Sequence, residues 1–153
     1  MIINQNSFEL LLTAKVTAAQ GFGLKVCASP SDEEYTLISY DVINSELVID
    51  FEKSTTDPSI EAKFYTMFFR STGENPSVKK QVAPLILNEN EPLRLRIFLD
   101  RSIVEVYAND RQCMTQRIYP TREDSVGIEV FSRGGDTTIS RFQVWDIAAT
   151  NQW

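Results

Sequence analysis

Residues Leu93–Asp124 read LRLRIFLDRSIVEVYANDRQCMTQRIYPTRED, and they carry the strongest indication of the fold class. From Leu93 to Leu99, leucine or isoleucine occupies every second position, and Arg94, Arg96 and Phe98 stand between them. A period of two is typical of a β-strand that buries one face and exposes the other. The stretch therefore opens with a strand whose arginines lie on the face away from the core.

Two hairpins are predicted within the same stretch. Asp100-Arg101 fits a two-residue connection, from which the chain returns through Ile103–Tyr107. Asn109-Asp110 supplies residue types that tolerate positive φ, so a second hairpin should lead into residues 113–119. Three consecutive antiparallel strands are expected here.

Working outward, alternation of the same kind recurs along most of the chain. It predicts further strands over residues 8–16, 23–29, 35–40, 47–51, 127–132 and 137–147. Gly134–Asp136 is expected to be a turn rather than a phosphate loop, because no helix follows it. Residues 60–70 fit either a strand or a packed loop, and residues 71–77 have the composition of a loop.

About ten short strands without a convincing helix favour an all-β fold. The prediction is a two-sheet antiparallel β-sandwich, a jelly roll of the concanavalin A-like lectin/glucanase type. The 153 residues match the size of a single domain, so residues 1–153 are expected to form one.

Composition excludes several classes of function. The formal net charge is −6, with 15 Lys and Arg that are dispersed along the chain, so a nucleic-acid partner is disfavoured. No apolar run approaches the ~20 residues that a membrane span needs. The first twelve residues lack a basic region and a cleavage site, so they are not expected to be a signal peptide. The compartment stays open, with a secreted or periplasmic parent protein among the options.

The absence of histidine excludes Ser-His-Asp and Cys-His catalysis and His-containing zinc sites within this chain. No metal or cofactor is expected. Cys27 and Cys113 lie far apart in sequence, outside any Cys-x-x-Cys spacing. Two buried free thiols are favoured over a disulfide, which stays an alternative.

The sequence LRIFLDRSIVEVYAND, followed by CMTQRIYPT, resembles the C-terminal β-sandwich of glycoside hydrolase family 32, the invertases, levanases, inulinases and related β-fructosidases. Phe22–Val26 and Phe142–Trp145 match the same pattern near the two ends of the chain. There are two departures. Arg111 follows Asn109-Asp110 where members often carry Gly, and Asp50-Phe51 stands where many have Asp-Arg.

The resemblance implies a non-catalytic chain. In that family the catalytic residues lie on an N-terminal five-bladed propeller, within Asn-Asp-Pro-Asn-Gly-like, Arg-Asp-Pro and Glu-Cys motifs, and none of these motifs occurs here. A retaining glycosidase needs two carboxyl groups roughly 5 Å apart across the scissile bond. The sequence singles out no such pair, so no catalytic residue is predicted.

Asp100, Arg101 and Glu105 are the candidate carbohydrate-binding residues. Carboxylate and guanidinium groups suit the vicinal hydroxyls of a furanose. The favoured alternative is structural, with Asp100 shaping the turn and Glu105 pairing across the sheet with Arg117 or Arg96.

Aromatic residues offer a second way to hold a sugar, because a ring face can stack on it. Tyr40, Tyr65 and Tyr107 are candidate platforms. Trp145, on an alternating strand, is expected in the core, and the place of Trp153 is left open.

Three hypotheses follow. The first is an accessory sandwich that packs on, and stabilises, the propeller catalytic domain of a β-fructosidase-like hydrolase, with a homodimer also open. It predicts an exposed apolar docking face. The second is a fructan-binding module, similar to carbohydrate-binding module family 66, with fructan or fructose as ligand. The third, the least favoured, is a self-sufficient enzyme that uses carboxylates such as Asp100 and Glu105.

Overall fold

Residues 6–60 and 79–148, the residues that this computed structural model describes, contain ten strands and a helical stretch at 58–60. The strands are, in chain order, β1 Ser7–Lys15, β2 Gly21–Ala28, β3 Thr36–Asp41, β4 Glu46–Asp50, β5 Lys80–Pro84, β6 Leu93–Asp100, β7 Ile103–Ala108, β8 Gln112–Arg117, β9 Gly127–Arg133 and β10 Thr138–Asp146.

In the described part of the chain, the strands form two five-stranded sheets. Their orders are β10-β1-β6-β7-β8 and β5-β4-β3-β2-β9, and every pairing is antiparallel. Edge strands β5 and β8 lie close together, so the other two edges, β9 and β10, lie at the opposite side of the sandwich. The predicted two-sheet antiparallel β-sandwich is confirmed.

The core lies between the two sheets and is built from the alternating apolar residues. On β1 and β6, Leu10, Leu12, Leu95 and Ile97 are almost fully buried. The facing sheet contributes the buried side chains Phe22, Leu24, Ile38, Leu47 and Ile49. Because the side chains of a strand alternate between its two faces, this arrangement turns Arg94 and Arg96 outward, as their positions predicted.

The hairpin predictions hold with one shift. Asp100 is still paired, with Ile103, so the connecting residues are Arg101 and Ser102 rather than Asp100 and Arg101. In the second hairpin, Asn109 and Asp110 both adopt positive φ, +50° and +53°, which confirms the expectation. Gly134, at φ +70°, lies in the predicted turn between β9 and β10.

Three further expectations have different outcomes. Strand β5 was missed, since its sequence KQVAP ends at Pro84 and does not alternate polar and apolar residue types. Both cysteines are free, but Cys113 is exposed, and only Cys27 is buried as expected. Burial raises the pKa of the Cys27 thiol to about 12. The interpretations of residues 61–77 and of Trp153 fall outside the described residues.

Helices in the described ranges are too short or too polar to cross a bilayer.

Candidate functional site: the outer face of the sheet β10-β1-β6-β7-β8

The outer face of the sheet β10-β1-β6-β7-β8 carries several outward-pointing arginines and aromatic residues. Strand register sets their positions. Thr13 on β1 lies opposite Arg141 of β10 on one side and Arg94 of β6 on the other. Leu11 lies opposite Arg96, which in turn lies opposite Tyr107 of β7. This outer face is therefore assembled from strands that are distant in sequence.

A cleft of about 390 Å³ opens on this outer face. Its floor includes Leu11 of β1, and its walls include Arg94, Arg141 and Tyr107. Tyr107 remains 40 % exposed. A cleft of this size is in the range that holds a small ligand.

The aromatic wall of the cleft is a fixed pair of rings. Phe98 and Tyr107 meet edge to face, with centroids 6.0 Å apart and planes at 89°. The Arg96 guanidinium lies over the Phe98 ring, with Cζ 4.9 Å from its centroid. The charge of Glu105 raises the pKa of Tyr107, so its phenol is protonated at neutral pH.

Charge in the cleft is positive, although the chain as a whole is acidic. Arg94, Arg96 and Arg141 line it, and Asp110 is the carboxylate among the described lining residues. Arg94 Nη2 lies 3.1 Å from Asp110 Oδ2, and the Asp110 side chain is 91 % exposed. Such an exposed pair is weak, because water screens it and both side chains stay mobile.

The residues predicted from the sequence lie beside this cleft rather than in it. Asp100 accepts a hydrogen bond from Ser7 Oγ at 2.9 Å. Arg101, at φ +53°, lies in the turn, and its backbone N–H donates to Asn6 O at 2.6 Å. Glu105 points outward opposite Phe98. Asp100 and Glu105 thus share the outer face, while Arg101 belongs to the connection at its end.

The structural alternative for Glu105 named the wrong partners. Arg96 Nε donates to Glu9 Oε1 at 2.8 Å, across the β1–β6 pair. The Arg117 guanidinium lies over the Tyr119 ring, with Cζ 5.1 Å from the centroid. Both arginines therefore make their described contacts elsewhere.

The predictions for the aromatic residues have different outcomes. Trp145 was expected in the core, but it is 44 % exposed on the outer face, because the edge strand β10 pairs there with outward-facing Glu9. Tyr40 is buried and cannot stack on a sugar. Tyr107 is an available platform, and Tyr65 lies outside the described residues.

Arg94, Arg96 and Arg141 were missed as candidate site residues. Alternation within Leu93–Leu99 did place the first two outward. The approach of Arg141 could not be foreseen, since it depends on β1 pairing with both the last strand and β6. No local signal encodes that pairing.

A buried carboxylate lies at the other sheet. Glu34 is fully buried and accepts hydrogen bonds from the backbone N–H groups of Thr56, Thr121 and Arg122 at 2.8–3.1 Å, and from Thr121 Oγ1 at 2.6 Å. Burial opposes its ionisation, but hydrogen bonds from neighbouring groups, those of Thr121 and Arg122 among them, outweigh burial, and the pKa of Glu34 is below its ordinary value. Glu34 therefore ties loops together rather than facing a ligand.

Metal ligands are not clustered in the described ranges: no group of three or more Cys, Asp or Glu there could hold an ion.

Comparisons with known proteins agree on one family. The sequence profile described as "Glycosyl hydrolases family 32 C terminal" matches residues 2–146. A levanase of Bacillus subtilis (strain 168) is 31 % identical over 142 residues, which cover 91 % of this chain and 18 % of the levanase.

Solved structures share the fold. The crystal structure of exo-inulinase from Aspergillus awamori matches with a TM-score of 0.71 and 25 % identity, over 96 % of this chain and 26 % of the enzyme. A carbohydrate-binding module, CBM66 from Bacillus subtilis, matches with a TM-score of 0.57 and 9 % identity, over 92 % of this chain and 75 % of the module. This chain thus spans about a quarter or less of the two enzymes.

Proposed function

The chain belongs to the family of C-terminal domains of family 32 glycosyl hydrolases, and we propose that its 153 residues form one non-catalytic β-sandwich that packs on the catalytic domain of a β-fructosidase-like parent. The parent would hydrolyse the glycosidic bonds of sucrose or of fructans. One observation carries the proposal: the family profile covers residues 2–146, yet the chain spans only 18 % of the levanase and 26 % of the exo-inulinase.

The surface that we propose for docking is the open edge, defined here as Val130 of β9 with Ile139 and Phe142 of β10. Strand register turns Val130 and Phe142 inward, opposite the buried Leu24 and Leu12. They nevertheless stay exposed by 39 % and 36 %, and Ile139 by 41 %. Burying apolar surface contributes ~25 cal/mol per Å² to the free energy of association, so the binding of a partner that covers this edge is favourable.

The occupant that fits the open edge is the catalytic domain of the same polypeptide. The levanase and the exo-inulinase each contain several hundred residues outside the part that this domain matches, as the covered fractions imply. A tethered partner also docks at high effective concentration, so a modest apolar area is enough.

A chimera tests the docking role. The catalytic part of the Aspergillus awamori exo-inulinase is produced alone and fused to this chain in place of its own C-terminal part. We expect the fusion to unfold in one cooperative transition, at a higher Tm than the catalytic part alone. Two independent transitions at the temperatures of the separate parts would contradict the proposal.

Paired variants then locate the interface. Phe142→Glu places a charge on the open edge and should lower the Tm of the fusion while changing the isolated chain much less. Val82→Glu is the control, because Val82 is half exposed on β5 at the opposite edge. Equal losses in the two fusions would rule out the open edge as the docking surface.

A second candidate function is fructan binding at the outer face. Asp100 and Glu105 share that face with the exposed rings of Tyr107 and Trp145, and such groups suit a neutral sugar. Calorimetric titration with levan, inulin and fructose should then give saturable heat that Trp145→Ala reduces. If none of the three sugars gives saturable heat, fructan binding is ruled out and packing on the catalytic domain remains the proposed function.

A further inference from the structure

We propose that the outer-face cleft is a binding site for a sugar phosphate monoester, with Arg94 and Arg141 on the phosphate and Tyr107 against the sugar ring. Arg141 belongs to β10, as Ile139 and Phe142 of the open edge do, but it points to the outer face, whereas Phe142 points inward. The proposal does not rest on the docking role.

The two arginines are placed to close on one anion. Arg141 and Arg94 face the same residue, Thr13, from opposite sides of β1. Neighbouring strands lie ~4.8 Å apart, so the two backbones stand about 10 Å from each other. Extended arginine side chains span such a gap easily, and their forks match phosphate oxygens.

Neither guanidinium is committed to a strong partner among the described residues. Arg141 Nε donates to the neutral amide oxygen of Gln143 at 2.6 Å, which leaves its terminal N–H groups available. Arg94 donates through Nη2 alone to Asp110, which is 91 % exposed. Both can therefore turn toward an incoming anion at little cost.

The charge of the cleft favours an anion. Its described lining carries Arg94, Arg96 and Arg141 against the carboxylate of Asp110, but Arg96 is already paired with Glu9, so Arg94 and Arg141 are the cations that remain for an anion. A phosphate monoester carries about −1.5 to −2 at neutral pH. The polar side chain of Asn109 offers nothing more, since it is already bonded to the Arg94 N–H, to Glu91 and to Pro92 O.

The ring side of the cleft favours a sugar over bare phosphate. Tyr107 is 40 % exposed and held edge to face against Phe98, so its orientation is set before a ligand arrives. Leu11 adds an apolar side chain to the lining of the cleft. An oriented aromatic face next to an anion site complements the apolar face of a phosphorylated monosaccharide.

Titration of the chain with fructose 6-phosphate, inorganic phosphate and fructose tests the proposal. We expect saturable binding of fructose 6-phosphate that is at least about tenfold tighter than that of either other ligand, and that weakens as salt is raised. Absence of saturable binding of fructose 6-phosphate overturns the proposal. If inorganic phosphate binds as tightly as fructose 6-phosphate, the role of Tyr107 is wrong. If fructose binds as tightly as fructose 6-phosphate, the anion site is wrong.

Variants assign the residues. Arg141→Gln should weaken fructose 6-phosphate at least about tenfold, since a charge-assisted hydrogen bond is lost. Tyr107→Ala should weaken fructose 6-phosphate but leave inorganic phosphate unchanged. The control is Arg117→Gln, on the same face outside the cleft, which should bind like the unmodified chain. If Arg141→Gln binds as well as Arg117→Gln does, the assignment is wrong. Native-like unfolding of each variant confirms that it is folded.

Discussion

Two single residues account for the local departures of this chain from its family. Arg111, where members often carry Gly, does not need positive φ. Its Nη2 donates instead to Glu91 Oε2 at 3.0 Å and to Ile86 O at 2.9 Å, which ties the β7–β8 hairpin to the segment before β6. Phe51, where many have Arg, is buried in the core beside Asp50, whose carboxylate pairs with Lys80 at 2.8 Å. Arg111 and Phe51 therefore both make contacts that connect parts of this fold.

Glu91 is the centre of that tie. Its carboxylate accepts hydrogen bonds from the backbone N–H and side-chain amide of Asn88, from Asn109 Nδ2 and from Arg111, all at 2.8–3.0 Å. The Asn88 N–H, followed by Arg111 and Asn109, lowers the pKa of Glu91 from its ordinary 4.5 to about 2. The unfolded chain thus binds this proton at a higher pH than the folded chain does.

The sign of the pH effect follows from that difference. Stability supplied by ionised Glu91 is fully present above a pH of about 4.5 and is lost as pH falls toward about 2. We expect Glu91→Gln to lower the Tm at neutral pH, and the difference from the unmodified chain to shrink over that acidic window. Thermal unfolding followed by circular dichroism across pH measures it. Glu89→Gln, at an exposed neighbour, is the control, and an equal pH-dependent loss in that variant would contradict the assignment.

At the scale of the elements, β2 and β3 approach each other unusually closely at one position. A Cβ on Gly23 would overlap Ile38 O and stand 2.7 Å from Ser39 Cα, both backbone atoms. At Gly21 on the same strand, the nearest atom would be Arg133 Nη2 at 3.2 Å, the end of a flexible side chain. The same substitution should therefore have different costs at the two sites.

Gly23→Ala should lower the free energy of unfolding by about 1–3 kcal/mol, because β3 must move away to make room. Gly21→Ala should change it by less than about 0.5–1 kcal/mol, since Arg133 can turn aside. Denaturant unfolding of the two variants measures the difference. Similar losses at both positions would show that the spacing of β2 and β3 is not the cause.

Strand β10 shows why an element can escape sequence interpretation. Its alternation correctly predicted a strand over 137–147. Alternation alone, however, implied a buried row that included Trp145. At the edge of its sheet β10 has one neighbouring strand and less cover, so Phe142 on one side and Trp145 on the other both stay exposed.

At the scale of the whole molecule, stability comes from the layer of side chains between the sheets. Leu10 and Leu11 are adjacent on β1, but Leu10 is fully buried between the sheets and Leu11 points to the outer face. The pair separates the contribution of the core from that of β-strand propensity, because the residue type and the strand are the same.

Leu10→Ala should lower the free energy of unfolding by about 2–5 kcal/mol, through lost transfer energy and the cavity left behind. Leu11→Ala should cost clearly less, because its side chain is only partly removed from water. Denaturant unfolding at equilibrium is the measurement. Equal costs would mean that the two faces of β1 are buried alike, against the sandwich described here.

The sequence by itself determined the strands and the sandwich, because alternation with a period of two is a local property that survives in any register. It also placed Arg94 and Arg96 outward and Asn109-Asp110 in a turn. It could not place β5, whose Pro84 and weak alternation of polar and apolar residue types carry little signal. Nor could it show that Arg141 lines the same cleft as Arg94, or that β10 lies at an edge, because both depend on β1 pairing with strands that are distant in sequence. The cleft and the open edge were therefore decided by tertiary structure, since long-range strand order determines which outward side chains meet and which inward ones stay uncovered.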